Sequence, residues 1–243
     1  ALYRPNSEGT ILIVNGFHRL ASPQVVDNDS LQGFDMTADP GVSYGLTAGW
    51  NGLQTCFDRN QIGKEGPGGL GYGGDEMIGH FVAGNDFDYP ACHTEAIAAA
   101  GNYQVESCSE QAVTSGKVNI GNYPIVDLIL GLEKFDGYTP EFYKTFPYSL
   151  RPILHSYLQH GGSLLVSGSY VGSDMTGDDE KTWLQDNLKL TYQPDSAADI
   201  QETVTGLGMN FAFWHLLNPK HYAATHPDII SPAGGAICAM QYR

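Results

Sequence analysis

The chain has 243 residues, 42% of them hydrophobic, enough for one domain with a sizeable core. Only 16% are charged, below the ~25% usual for soluble domains, and 12 Lys+Arg stand against 27 Asp+Glu for a net charge of -15. That balance repels phosphate backbones and anionic membrane surfaces, which argues against nucleic-acid partners, and no apolar run approaches the ~18 residues of a membrane span.

The opening ALYRPNSEGT lacks the basic region and apolar core of a leader. An acidic, lysine-poor composition rich in Tyr, Asn and Gly suits a mature exported protein, so an extracytoplasmic location is expected. Cys56, Cys92, Cys108 and Cys238 are widely spaced with no C-x-x-C, which argues against a zinc ribbon or a thioredoxin motif. Disulfides and buried thiols both fit. Cys238, in the apolar run AICAM, fits a buried thiol best.

Thr10 to Asn15, TILIVN, is a β-branched apolar run and reads as a strand buried on both faces, the signature of a parallel sheet. Asn15 and His18 follow at its carboxyl end. Ala21 to Gly74 shows little periodicity and reads as a loop-rich insertion, with one short helix around Trp50 to Arg59. Its GPGGLGYGG neither follows a strand nor ends in G-K-[ST], so it is a turn-rich flap rather than a phosphate loop. A short element is expected within Glu76 to Asn85. Thr94 or His93 opens a helix to Ala100, and Gly101 suits its end. Asp86, Asp88 and His93 lie near that helix start, where capping competes with a binding role. Tyr103 to Cys108 and Val126 to Leu130 are strands, and Glu133 follows the second.

Pro147 to His160 is the clearest helix. Leu150, Ile153, Leu154, Tyr157 and Leu158 make one apolar stripe, and Gly161 suits the end. Ser163 to Val166 is a buried strand that breaks into Ser167, Gly168 and Ser169 and a turn ending at Asp174. A short helix over Asp178 to Asn187, strands over Leu188 to Tyr192 and Glu202 to Thr205, an ambiguous NFAFWHLLNPKHY and a last strand from Ala236 to Tyr242 follow. A chain stopping inside a strand is expected to be part of a longer polypeptide. The order of elements is α/β, best built as a three-layer α/β/α sandwich with a mainly parallel central sheet, in a single domain over residues 1–243.

In open α/β sheets, ligands sit outside the carboxyl ends of the strands. That edge offers Asn15, His18, Asp88, His93, Glu133, Ser169, Tyr170 and Asp174. A serine needs an imidazole base because its own hydroxyl is hardly ionised at neutral pH, and an acid then orients the imidazole. Ser169, His18 and Glu133 are the residues that could supply this. The serine in GSYVG stands one place early for a G-x-S-x-G elbow, and Ser169 and Asp174 equally suit plain turn and cap roles. An SGNH-type esterase would need G-D-S after the first strand, where this chain has Asn15-Gly16-Phe17, and D-x-x-H near the end, where it has Asn218 to His221. No H-x-x-x-H or H-E-x-x-H occurs, so no metal and no cofactor are implied. Tyr72, Phe87, Tyr89, Tyr138 and Tyr170 could instead form an aromatic surface that stacks on sugar rings.

Four blocks, NGFHRLASP, GNDFDYPACHTEAI, VDLILGLEK and FPYSLRPILHSYLQHGGSLLVSGSYVGSD, together with the overall outline from Ile11 to Tyr242, resemble one family. It is the flavodoxin-like, class I glutamine amidotransferase-like domain of large exported Bacteroidetes proteins that carry the xanthan lyase name. The resemblance implies an extracytoplasmic domain linked to polysaccharide or cell-envelope processing, with a carbohydrate or cell-wall ligand and flanking domains of the same polypeptide as partners. It carries over no cysteine nucleophile, because Glu133 and Ser169 stand where the elbows would be. Three functions follow as expectations: a domain of this kind with its own activity undefined, a serine-dependent ester or amide hydrolase, or a non-catalytic carbohydrate-binding or structural module.

Overall fold

A computed structural model describes residues 1–17, 24–28, 31–35, 89–131, 133–134, 144–194, 203–212 and 228–242. Its centre is a four-stranded sheet, all parallel, in the order β4-β1-β5-β6. The strands are β1 (Gly9–Asn15), β4 (Tyr103–Ser109), β5 (Ile125–Gly131) and β6 (Ser163–Gly168). A hairpin of β2 (Gln24–Asn28) and β3 (Leu31–Asp35) falls between β1 and the helix α1 (Tyr89–Ala100). This corrects the start of Ala21 to Gly74, expected without strands. The helix expected at Trp50 to Arg59 and the element at Glu76 to Asn85 lie outside the described residues.

Side chains alternate across a strand, so each face of the sheet collects its own set. Leu12, Val14, Val126, Leu128 and Leu130 join Phe146, Leu150, Leu154 and Tyr157 in the larger buried cluster. Ile13, Val105 and Ile129 join Phe17 in a smaller one, against which Tyr89 and Ile97 of α1 pack. The register pairs Ile13 with Ser107 on one side and with Asp127 on the other, and Asp127 with Leu165. Asn15, Ile13, Asp127 and Leu165 therefore share the α1 face.

The helix α3 (Arg151–Gln159) starts four residues later than Pro147 because residues 148–150 form a turn, closed by Leu150 N–H donating to Pro147 O at 2.9 Å. Pro152 sits in the first helical turn, where its missing N–H costs nothing. The far end is a Schellman motif. Gly161 takes φ 84°, its N–H donates to Leu158 O, and the Gly162 N–H reaches Tyr157 O, each at 3.0 Å. The stripe of Leu150, Ile153, Leu154, Tyr157 and Leu158 lies in or against the larger cluster. Arg4 donates to Gly101 O at 2.6 Å and Ala98 O at 3.0 Å, placing a cation on the last carbonyls of α1.

A short helix α2 (Glu110–Thr114), capped by Ser109, follows β4 directly. The helix expected from Asp178 to Asn187 is α4 (Asp178–Trp183), continued by one wider turn over Leu184–Leu188. Beyond it, β7 (Leu190–Tyr192) pairs with β10 (Ile230–Pro232), and β8 (Thr203–Gly206) pairs with β9 (Met209–Ala212) and β11 (Met240–Tyr242), all antiparallel. The last strand is thus shorter than Ala236 to Tyr242, and Cys238 is exposed rather than buried. β6 also differs from its expectation. Leu164 and Val166 pack on the larger cluster, but Leu165 is 58% exposed, because α1 lies over β1 and β4 and stops short of β6. No helix among the described residues is long and apolar enough to cross a membrane.

Candidate functional site

After β1 the chain passes to β4 on one side, then returns to β5 on the other. The reversal makes the carboxyl ends of β1 and β5 a topological switch point, the place where ligands of open α/β sheets bind. Gly16 makes the close approach there. Its N–H donates to Ile129 O at 2.7 Å, and a Cβ at Gly16 would lie 2.9 Å from both Leu128 Cδ1 and Leu130 Cδ2. Asn15 Nδ2 donates to Phe17 O at 2.9 Å. Asn15 Oδ1 is buried with no hydrogen-bond partner among the described residues.

On the same face, His93 Nδ1 and Asp127 Oδ2 are 2.6 Å apart. Tyr89, His93 and Ile97 follow one another at four-residue spacing, so α1 turns all three toward the sheet. The outer two pack on the Ile13 cluster, while His93 reaches across to β5. The Asp127 side chain is 3% exposed and that of His93 31%. A carboxylate can only accept, so the imidazole donates from Nδ1; in the neutral ring Nε2 is then an acceptor, and in the imidazolium a second donor. Nε2 makes no hydrogen bond among the described residues, and Asp127 Oδ1 is a second buried acceptor without a partner there. Such a group costs about 1–3 kcal/mol, so two on one sheet face are unusual.

The ends of β5 and β6 form the rest of the edge. Gly131, at φ 53°, breaks the register, and the Ser169 N–H donates to Gly131 O at 2.9 Å. Glu133 is buried and Lys134 Nζ lies 4.7 Å from the Tyr170 ring centroid. The turn after β6 is pinned from both sides. Asp228 Oδ2 accepts from the Gly172 and Ser173 N–H groups at 2.8 and 2.6 Å, and the Asp228 N–H donates to Ser169 O at 2.8 Å. Asp174 Oδ2 accepts from Thr145 N–H at 2.8 Å and from the Thr145 hydroxyl at 3.2 Å.

The structure thus pairs His93 with Asp127, sets Asn15 on the neighbouring strand two positions further along the same face, and places Glu133, Ser169 and Tyr170 at the ends of β5 and β6. Asp174 serves the turn by holding Thr145. His18 and Asp88 lie outside the described residues, as do Tyr72, Phe87 and Tyr138. Among the described residues the histidines bond to Asp127, to Asn187 and to the Ser156 carbonyl, and none bonds to Ser169. Tyr89 meets Phe17 edge-on at 5.9 Å rather than offering a flat open face. Cys108 is the last residue but one of β4, next to the strand-to-helix junction with α2, but its side chain packs on the larger cluster. Burial pushes its thiol up to about 11, the opposite of an activated nucleophile. No group of three or more His, Cys, Asp or Glu among the described residues could hold a metal ion.

Sequence reasoning passed over Asp127, although VDLIL contains its own signal. An acid in a strand buried on both faces must find a partner, because an isolated buried charge is too costly. Asp228 carried no such signal, since a loop aspartate suits any turn. Comparison with family models, with curated proteins and with solved structures finds no match to this chain.

Proposed function

We propose that the chain is a flavodoxin-like, three-layer α/β/α domain of an exported protein that handles polysaccharide or cell-envelope material. Its ligand lies at the carboxyl edge of the sheet, around the switch point between β1 and β5. The observation that carries this reading is the strand reversal at β1, which puts a topological switch point beside Asn15 with its unpartnered acceptor. The four blocks that resemble domains of exported polysaccharide-linked proteins, and the acidic, lysine-poor composition, support the setting. Binding is the favoured role over serine hydrolysis. The hydrolase version needs an imidazole on Ser169, whereas the acid-paired imidazole among the described residues is His93 on the α1 face.

Two assays on the same preparation test the reading. On an oligosaccharide array, binding is expected, and Tyr170→Ala should weaken it. A fluorophosphonate probe should leave wild type unlabelled. Labelling lost in Ser169→Ala would replace the binding reading with a serine hydrolase, and an array with no bound glycan would remove the polysaccharide link.

A further inference from the structure

The orphaned groups on the α1 face share one chemistry, since all are acceptors. Asn15 Oδ1 and Asp127 Oδ1 are buried and unpartnered among the described residues, and His93 Nε2 joins them as an acceptor in the neutral ring. Asn15 and Asp127 stand on adjacent strands two positions apart, with Asn15 beside Ile129 and Asp127 beside Ile13. At ~3.3 Å rise per residue and ~4.8 Å between strands, their Cα atoms are roughly 8 Å apart. That span is comparable to the reach of one ring-sized ligand. On the outer side the face is open, because Leu165, the register partner of Asp127, is 58% exposed. On the inner side the face is bounded by the buried Phe17, with Tyr89 packed edge-on against it.

We infer that Asn15, His93 and Asp127 form a recognition set for an uncharged ligand presenting several hydroxyl donors, a sugar ring or similar polyol. Each acceptor takes one O–H. With the His93 ring neutral, an anion finds no side-chain donor in this set and meets the Asp127 carboxylate. A cationic amine shares the donor chemistry and is drawn to the Asp127 carboxylate as well, so methylammonium is the competing probe in the test. The inference deepens the binding reading above and rests on it for the location of the ligand edge.

Histidine ring ¹H–¹⁵N spectra of the whole chain, with His93 assigned from His93→Gln, test it with glucose, methylammonium and sulfate as millimolar probes. Glucose should move the His93 resonances and sulfate should not. Asn15→Leu should weaken the glucose effect about tenfold, and Asn15→Asp, which keeps an acceptor, should retain it. His155→Gln, on the exposed side of α3, should change nothing. A His93 signal unmoved by glucose, or moved more by methylammonium or by sulfate, overturns the inference. If His93 ignores glucose while array binding persists and depends on Tyr170, this site fails and the binding reading stands. If glucose moves His93 while no array glycan binds, the polysaccharide link fails and the site stands.

Discussion

Glu180 shows how a residue that reads as a plain helix-start acid becomes structural. It is 8% exposed, and both carboxylate oxygens lie 2.6 Å from Lys144 Nζ, itself buried. The Gly177 N–H donates to it at 3.0 Å and Arg151 stands 3.8 Å away. Burial pushes its pKa up, but the hydrogen bonds from Lys144 and Gly177 and the charges of Lys144 and Arg151 outweigh that and leave it below the ordinary 4.5. A carboxyl depressed in the folded state adds stability that is complete above about pH 4.5 and is lost as pH falls through its folded-state value. The Tm of wild type should therefore fall more steeply below about pH 4.5 than that of Glu180→Gln, read by thermal melts across that range. Lys144→Met removes the main partner. Breaking a buried pair costs about 3–5 kcal/mol, and the nearby Arg151 should hold the loss at or under the lower figure in urea melts. Nothing near Lys144 in sequence announces this pair, since its partner is 36 residues away.

At the scale of elements, β6 separates what periodicity can tell from what packing decides. Its apolar run reads as buried on both faces. One face is, through Leu164 and Val166, while Leu165 opposite is exposed beside Asp127. Leu165→Ser should change stability by no more than about 0.5 kcal/mol, as surface substitutions do. Leu128→Ala, in the larger cluster and 1% exposed, should cost about 2–5 kcal/mol in the same denaturation series. An outcome in which both cost the same would mean that the α1 face of β6 is covered. Among the helices, α3 was legible in its stripe and its glycine end, which are local signals, but not in its start, which lies four residues after Pro147. The hairpin β2–β3 was not legible, since QVVDN and LQGFD are short and interrupted by polar residues.

Across the whole molecule, a net charge of -15 sets a diffuse repulsion against the compact state. Raising ionic strength from about 0.01 to about 0.1 M shortens the Debye length from ~30 to ~10 Å, and the Tm should rise. A Tm that falls would mean that paired charges such as Lys144–Glu180 and Arg151–Asp179 outweigh the net repulsion. The sequence by itself determined the α/β class, the β1, β4, β5 and β6 segments to within a few residues and the course of α3. It also put Asn15, Glu133, Ser169 and Tyr170 at or just past the carboxyl ends of their strands. These rest on periodicity, β-branching and turn residues, which act over a few positions. Tertiary structure alone decided that β5 returns beside β1, that His93 meets Asp127 34 residues away, and that Asp228 pins the turn of Ser169. Strand order and long-range polar pairing depend on which distant segments meet, and no local pattern encodes that.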